Sequence, residues 1–217
     1  MGTSNPVTPS RTAAPMAATI GAAALLVAVC WFGATTKAPP AWEISVFDFF
    51  NTLPSPVGNA LAALMWFGTT VGILIAALAA SLWKRNDIST HVLLAGLLAW
   101  LTQRSLKPLV DRGRPRDLLA EANFHGHLAS GGGIPSGHTA MAVAICAAVA
   151  FHVSRPWRAA LALLAGAIGI ARMYTGNHFP LDIVAGAALG WVCAVAAHYL
   201  IGAWERRRPR SSGAATS

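Results

Sequence analysis

Residues 180–203 read PLDIVAGAALGWVCAVAAHYLIGA, an apolar run that contains one charged side chain, Asp182. A helix of roughly 20 residues crosses the hydrocarbon core of a bilayer, so this run is long enough to span it. Open sheets cannot cross lipid because their backbone groups would lack partners, which makes a helix the expected structure. Five more apolar runs precede it, at 17–35, 59–83, 91–109, 137–153 and 158–174. We therefore predict an all-α fold, a bundle of six transmembrane helices.

The composition supports a membrane protein. Of the 217 residues, 55% are hydrophobic and 11% are charged, whereas soluble domains carry roughly 25% charged residues. The net charge of +8 does not predict a nucleic-acid partner, because the Lys and Arg residues fall in short clusters between apolar runs. The three cysteines lie within apolar runs and show no metal-ligand spacing. We expect the lipid bilayer to be the environment of the chain.

The basic residues also predict an orientation in the cell membrane. With a cytoplasmic N-terminus, more of the sixteen Lys and Arg residues lie on the inner side, as the positive-inside rule requires. We predict cytoplasmic tails at 1–16 and 205–217 and a multi-pass membrane domain at 17–204. The first run exceeds the ~7–15 residues of a signal-peptide core, so a retained anchor is favoured over a cleaved signal. For segment 42–58, an interfacial or re-entrant piece and a plain loop are both open.

Polar residues cluster at the ends of the last four apolar runs that this topology places on the extracytoplasmic side. Charges at a bilayer cost roughly 2.5–3.5 kcal/mol each on insertion scales, so they usually serve a function. Three cations at similar depth predict an anion site, and phosphate matches the donors of Arg and Lys. The clusters are Lys107 with Arg114-Pro115, then Pro135-Ser136-Gly137-His138, then Arg172 with His178 and Asp182.

Two of these clusters have a local geometry that suits phosphate chemistry. Ser136-Gly137 opens a helix after a glycine run at 131–133, and free N–H groups at a helix start favour an anion. His178 and Asp182 are four residues apart, which places them in contact on one helix face. The carboxylate can then hold one ring nitrogen and leave the other to attack. A helix-start capping pair is the alternative.

The three clusters resemble the signature of the phosphatidic acid phosphatase type 2 (PAP2) superfamily, KxxxxxxRP, PSGH and SRxxxxxHxxxD. This chain carries Lys107-x6-Arg114-Pro115, then 135–138, then Ala171-Arg172-x5-His178-x3-Asp182. Ala171 replaces the usual serine, which removes one possible hydrogen bond to phosphate. The resemblance covers about 90–203.

The resemblance implies an integral membrane phosphatase that hydrolyses a lipid phosphate or diphosphate monoester. Polyprenyl diphosphate, phosphatidylglycerol phosphate and phosphatidic acid are candidate substrates. It implies that His178 forms a phosphohistidine, that Asp182 orients it, and that His138 protonates the leaving oxygen. The expected phosphate ligands are Lys107, Arg114, Ser136, Gly137 and Arg172, and no metal or other cofactor is expected. The alternatives are a lipid transporter or anion-binding membrane protein that uses the same pocket, and an enzyme similar to vanadate-dependent haloperoxidases.

Several other polar residues receive weaker predictions. We interpret Arg112 and Arg116 as loop cations, either solvated or facing an anionic head group. Arg104 is expected to pair with Asp111 or to support the site. His125 and His127 are interpreted as solvated loop residues rather than metal ligands. Interfacial positions are expected for His91, His152 and His198.

Overall fold

The structure is a computed structural model that describes residues 13–126 and 130–207, with side chains from Met16 onward. All regular secondary structure in this part is helical, as predicted. The helices are α1 Ala13–Thr36, α2 Ala41–Asn51, α3 Ser55–Leu64, α4 Thr70–Leu82, α5 Asn86–Val110, α6 Pro115–Leu118, α7 Gly137–Ala150, α8 Arg155–Tyr174 and α9 Pro180–Arg207. The predicted tails fall mainly on residues 1–12 and 208–217, which lie outside the described part.

Helix α7 is the centre of the bundle and packs against α5, α8 and α9. Small residues let α7 and α9 approach closely. A Cβ atom at Gly190 would lie 2.4 Å from the Ala140 carbonyl oxygen, and one at Gly186 would lie 2.6 Å from that of Ser136. The contact brings the start of α7 beside the start of α9, where the Ser136 N–H donates to the Asp182 carbonyl oxygen at 2.9 Å. Two of the predicted clusters therefore meet at one end of the bundle.

Two helices in the described part are long and apolar enough to cross a membrane, within Met16–Thr36 and over Pro180–Arg207. Helices α3 and α4 would make a third if they count as one bent span. Both α1 and α4 expose large apolar side chains, as helices that face lipid do: Ile20, Val27, Trp31, Leu74, Leu78 and Leu82. The predicted count of six spans stays a prediction.

The second apolar run, 59–83, is not one straight helix. A 3-10 turn at Met65–Gly68 separates α3 from α4, and the two helices are bent by 70°. Thr69 starts α4, and its Oγ1 accepts the Gly72 N–H at 3.1 Å. Gly68 lies against the start of α7, because a Cβ there would be 2.6 Å from the His138 carbonyl oxygen. The bend thus places this turn beside His138.

Segment 42–58 forms helices rather than the plain loop that we left open. One face of α2 is buried through Glu43, Phe47 and Asn51, while Trp42 and Phe49 are exposed. The Asn51 side-chain amide donates to the carbonyl oxygens of Asn123 and Tyr174, each at 2.9 Å. Helix α2 is therefore fastened to the end of α8. An interfacial position for it stays a prediction.

Candidate active site

His178 lies between α8 and α9, with Asp182 one turn later in α9. The His178 Nδ1 atom is 3.0 Å from Asp182 Oδ2, and the same oxygen accepts the Phe179 N–H at 3.0 Å. The predicted contact is therefore present, but His178 precedes α9 instead of lying on its face. Asp182 also caps the start of α9, which was the alternative interpretation. Because a carboxylate only accepts hydrogen bonds, Nδ1 carries the ring proton and Nε2 carries the lone pair. Nε2 is therefore the atom that is able to attack phosphorus.

Arg114 faces this lone pair directly. Its Nη1 is 3.1 Å from His178 Nε2 and also donates to the Asn177 carbonyl oxygen at 2.9 Å. Burial of His178, together with the positive charges of Arg114, Arg172 and Lys107, lowers the pKa of its ring well below the usual range. The ring is therefore neutral at neutral pH, as a nucleophile requires.

The backbone of the glycine run holds two of the cations through its carbonyl oxygens. Lys107 Nζ donates to the Gly132 oxygen at 2.8 Å, and Arg114 Nε donates to the Gly131 oxygen at 2.7 Å. Gly133 is pressed against the site, since a Cβ there would be 2.8 Å from Asp182 Oδ2. The loop thus fixes where two of the predicted phosphate ligands stand.

Ser136 and Gly137 lie at the start of α7 within the same cluster. Ser136 is fully buried, and its Oγ accepts a hydrogen bond from Thr139 Oγ1 at 3.0 Å. Gly137 lies against Gln103, whose Oε1 would be 3.0 Å from an added Cβ. Because the Ser136 N–H already donates to the Asp182 carbonyl oxygen, any contact of Ser136 with phosphate must use its hydroxyl group.

A cavity of about 460 Å³ opens between α3, the 3-10 turn and the ends of α7 and α8. His138 and Arg172 both line it. The Nη1 atom of Arg172 contacts Met65 Sδ at 3.3 Å, and its buried Nε has no hydrogen-bond partner within the described residues. A buried guanidinium with an unused donor favours an anion beside His138. The cavity is therefore the place where a phosphoryl group would enter.

Two further residues line this cavity that the sequence did not single out for it. Thr175 lies one turn after Arg172, and His125 comes from the loop before the glycine run. The His125 ring stacks on Tyr174 with 4.3 Å between ring centroids, so its interpretation as a solvated loop residue was wrong. Nothing in the sequence identified this contact across 49 positions. His127 lies outside the described residues.

Arg112 is a loop residue, but it is neither solvated nor exposed to a head group, so that interpretation was also wrong. Its side chain is fully buried, and its Nη1 donates to Glu43 Oε1 at 3.1 Å. The same Nη1 is 3.5 Å from Asp182 Oδ1. Arg116, in contrast, is partly exposed and pairs with Asp117 at 3.2 Å. The two arginines that flank Arg114 therefore have different surroundings.

The expectations for Arg104 and for His91 need similar corrections. Arg104 lies over the Trp100 ring, 4.8 Å from its centroid, while Asp111 pairs with Lys37 at 3.9 Å. His91 is buried, and its Nδ1 is 3.2 Å from His152 Nε2. It therefore belongs to the packed interior at the end of the bundle opposite the site, and the interfacial position of this end, with His152 and His198, stays a prediction.

Comparisons with known proteins agree with this geometry. The family model of the PAP2 superfamily matches residues 88–206. The bacitracin transport permease protein BcrC of Bacillus licheniformis is 28% identical over 160 residues, which are 70% of this chain and 77% of that protein. A lipid A 1-phosphatase of Rhizobium etli is 33% identical over 109 residues, 50% of this chain and 46% of that protein. The matched region thus spans about half the length of the latter relative.

Two solved structures share the fold. Aquifex aeolicus LpxE superposes with a TM-score of 0.67 and 27% identity, covering 74% of this chain and 96% of that one. The PAP2-type phosphatidylglycerolphosphate phosphatase of Bacillus subtilis has a TM-score of 0.67 at 20% identity, over 89% of this chain and 98% of that one. The latter similarity concerns the fold alone. Because the family match covers more than half of the chain and contains every residue of the His178 site, the chain belongs to the PAP2 superfamily and is a membrane phosphatase of that superfamily.

Proposed function

We propose that this chain hydrolyses the phosphate or diphosphate monoester of a membrane lipid through a phosphohistidine on His178. One observation carries the proposal. The neutral His178 ring is held at Nδ1 by Asp182, 3.0 Å away, and its Nε2 faces the Arg114 guanidinium at 3.1 Å. A lone pair aimed at a phosphate-binding site is the arrangement that nucleophilic catalysis needs.

In the first step, Nε2 attacks the terminal phosphorus and its bond to the leaving oxygen breaks; that oxygen is the lipid oxygen of a monophosphate or the bridging oxygen of a diphosphate. His138, which lines the cavity beside Arg172, donates a proton to the departing oxygen. Asp182 stabilises the positive charge that the His178 ring gains. In the second step, His138 takes a proton from water, the water oxygen attacks phosphorus, and the N–P bond breaks. Inorganic phosphate leaves and the electron pair returns to Nε2.

The cations supply the charge stabilisation on which phosphoryl transfer depends. The Arg114 N–H that donates to Nε2 is placed to donate to a phosphoryl oxygen once phosphorus takes its position. Lys107 and Arg172 complete the set, with the Ser136 hydroxyl and the Gly137 N–H as further donors. We propose that three cations make the reaction independent of metal.

A lipid substrate is supported by the surroundings of the cavity and by a relative that is named for a lipid. Trp66, on the cavity wall, is 69% exposed, and the neighbouring Phe67 is also exposed. An apolar rim suits a substrate whose tail stays in the bilayer while its head group enters. A relative named for lipid A adds lipid A to the candidates polyprenyl diphosphate, phosphatidylglycerol phosphate and phosphatidic acid. We propose six spans, with cytoplasmic termini and the site on the extracytoplasmic side.

Phosphate release from a panel of these four lipids tests the proposal. We expect the purified full chain in detergent micelles to release inorganic phosphate from at least one lipid, with activity unchanged by EDTA. His178→Ala should be inactive, whereas His198→Ala, at an exposed histidine on the later part of α9, should retain activity. Acid-labile phosphate trapped on the protein should be absent from His178→Ala. The proposal fails if no lipid is hydrolysed, or if His178→Ala hydrolyses lipids as fast as the unchanged chain.

BcrC is named as a transport permease, which keeps a transporter as the alternative outcome. Binding an anion for transport requires only the cations. It does not require a histidine lone pair that is oriented by a buried carboxylate. Lipid movement that persists in His178→Ala, without any phosphate release by the unchanged chain, would favour transport.

A further inference from the structure

A second buried ion pair stands directly behind Asp182. Arg112, from the loop after α5, donates through Nη1 to Glu43 Oε1 at 3.1 Å and through Nη2 to Oε2. Both side chains are completely buried, and the Arg112 guanidinium lies 5.3 Å from the centroid of the Phe179 ring. A charged pair with no access to water is costly unless its geometry is specific. Its place in the molecule therefore calls for an explanation.

The pair contacts the Asp182 turn at two points. Arg112 Nη1 is 3.5 Å from Asp182 Oδ1, an oxygen that has no hydrogen-bond partner within the described residues. Glu43 Oε1 also accepts the Leu181 N–H at 2.9 Å. Arg112 thus faces the Asp182 carboxylate, and Glu43 holds the backbone of the preceding residue, Leu181. The other Asp182 oxygen, Oδ2, is left to His178 and to the Phe179 N–H.

Charge balance gives the arrangement a purpose. Glu43, Arg112 and Asp182 together carry one net negative charge when both carboxylates are ionised. The His178 ring becomes positive when its Nε2 bonds to phosphorus, so the four groups are then neutral as a set. Without Arg112, two buried carboxylates would stand close together without a cation between them. Arg112 thus allows Asp182 to remain an acceptor for the His178 Nδ1–H.

We propose that Arg112 and Glu43 are positioning residues that aim the Asp182 carboxylate at His178 and so hold the nucleophile in its attacking tautomer. The expected effect of Arg112 on kcat rests on the proposed function. Its expected effect on the Nδ1–H of His178 does not. This positioning gives α2 a role in the reaction, since Glu43 lies near the start of that helix. It also distinguishes Arg112 from Arg114, which faces the reacting nitrogen itself.

The test measures kinetics and the histidine together in the full chain. The kinetic probe is whichever panel lipid the unchanged chain hydrolyses. The second probe is the downfield proton resonance of His178 Nδ1–H in ¹⁵N-histidine-labelled protein, assigned by its loss in His178→Asn. We expect Arg112→Gln to lower kcat by about 10- to 100-fold, which is the range known for groups that orient metal-bound histidines. KM should change little, and the Nδ1–H resonance should shift or disappear.

Three further variants separate positioning from folding. Glu43→Gln combined with Arg112→Gln leaves no unpaired charge at the pair, so it keeps the test valid if Arg112→Gln alone does not fold. It should show the same loss of kcat. Arg112→Lys retains the charge and should recover part of the rate. Arg116→Gln, at the partly exposed arginine of the adjoining helix α6, is the matched control and should leave rate and resonance unchanged.

A mutant cycle tests whether Arg112 acts through Asp182. Adding Arg112→Gln to Asp182→Asn should lower kcat by less than about twofold, because residues that act in series are not additive. The inference is overturned if Arg112→Gln lowers kcat of that variant as much as it lowers that of the unchanged chain. It is also overturned if the Nδ1–H resonance is unaltered in the folded Arg112 variants. If no lipid is hydrolysed but the resonance responds to Arg112 and not to Arg116, the proposed function fails and the positioning role stands.

Discussion

Arg114 Nη1 lies 3.1 Å from His178 Nε2, while Asp182 holds the other ring nitrogen at 3.0 Å. Both ring nitrogens of the proposed nucleophile thus make a hydrogen bond, Nε2 with the cation Arg114 and Nδ1 with the anion Asp182. The Arg114 donor occupies the lone pair of the reacting nitrogen, so an entering phosphoryl group must take the place of this hydrogen bond. The same donor is in position to stabilise the phosphoryl group that replaces it.

Replacing Arg114 with lysine tests this double role. Lysine keeps the charge but has no fork of donors, so it cannot serve Asn177, His178 and the glycine run together. We expect kcat to fall on the order of 10²-fold, the range seen when one donor to a developing charge is removed. Lipid phosphatase assays of the purified variant measure it.

Arg116→Lys is the control for that substitution, since Arg116 is two residues away and pairs with Asp117. It should change kcat by less than about twofold, because an exposed ion pair contributes little. Equal losses in the two variants would show that the loop, rather than the contact with His178, limits the reaction.

The pH dependence of stability reports on the buried His178 ring. Burial lowers the pKa of His178 well below its usual range. Below about pH 6.5, the unfolded chain therefore binds a proton at this position that the folded chain does not bind. The contribution to the free energy of unfolding is fully present above that pH and declines as pH falls. Melting temperatures from pH 8 to pH 5 should fall more steeply for the unchanged chain than for His178→Asn.

His198→Asn is the control for the melting series, because His198 is exposed. Its melting curve should follow that of the unchanged chain at every pH. If the His178→Asn variant loses stability as steeply as the unchanged chain on acidification, then groups other than His178 determine the loss of stability at low pH.

Contacts within a few residues could be predicted from the sequence, whereas contacts across the chain could not. The contact of His178 with Asp182 could be predicted from their four-residue spacing, although His178 lies just before α9 and not on it. The pairing of Arg112 with Glu43 spans 69 positions, and nothing in either local sequence distinguishes a buried arginine from a solvated one. The two arginines differ in their partners after folding: Arg112 contacts Glu43 of α2, and Arg114 contacts His178.

The bend between α3 and α4 was hidden for a related reason. The apolar run 59–83 has the composition of one membrane span. Composition carries no information about where α7 packs against this run. The start of α7 leaves no room for a side chain at Gly68. The glycine run at 131–133 shows the same limit. Its flexibility could be predicted, but whether its carbonyl or amide groups face the site depends on Lys107 and Arg114.

Gly133→Ala should impair the reaction by moving Asp182. An added Cβ would lie 2.8 Å from Asp182 Oδ2, which is closer than real Cβ contacts, so the carboxylate must shift away from His178. We expect kcat to fall by about 10-fold or more with little change in KM, because a misplaced orienting group affects the reaction rather than binding. Steady-state kinetics of the purified variant measure both constants.

Gly166→Ala is the matched control for Gly133→Ala, since nothing lies within 4 Å of a Cβ added there in α8. It should retain full activity and gain up to about 1 kcal/mol of stability from helix propensity. Activity of Gly133→Ala equal to that of Gly166→Ala would mean that Asp182 is not held where the structure places it.

Ala171→Ser introduces the serine that the family signature carries beside Arg172. Ala171 is fully buried in α8 and directly precedes Arg172, which lines the cavity; the resemblance implies that the serine hydroxyl donates to the phosphate. One added hydrogen bond contributes about 0.5–1.5 kcal/mol, so we expect KM for the lipid to decrease by about 2- to 10-fold. The value of kcat should stay nearly constant, because the cations that stabilise the transition state are unchanged. A fall in kcat with KM unaltered would indicate that the hydroxyl disturbs Arg172 instead of contacting the phosphate.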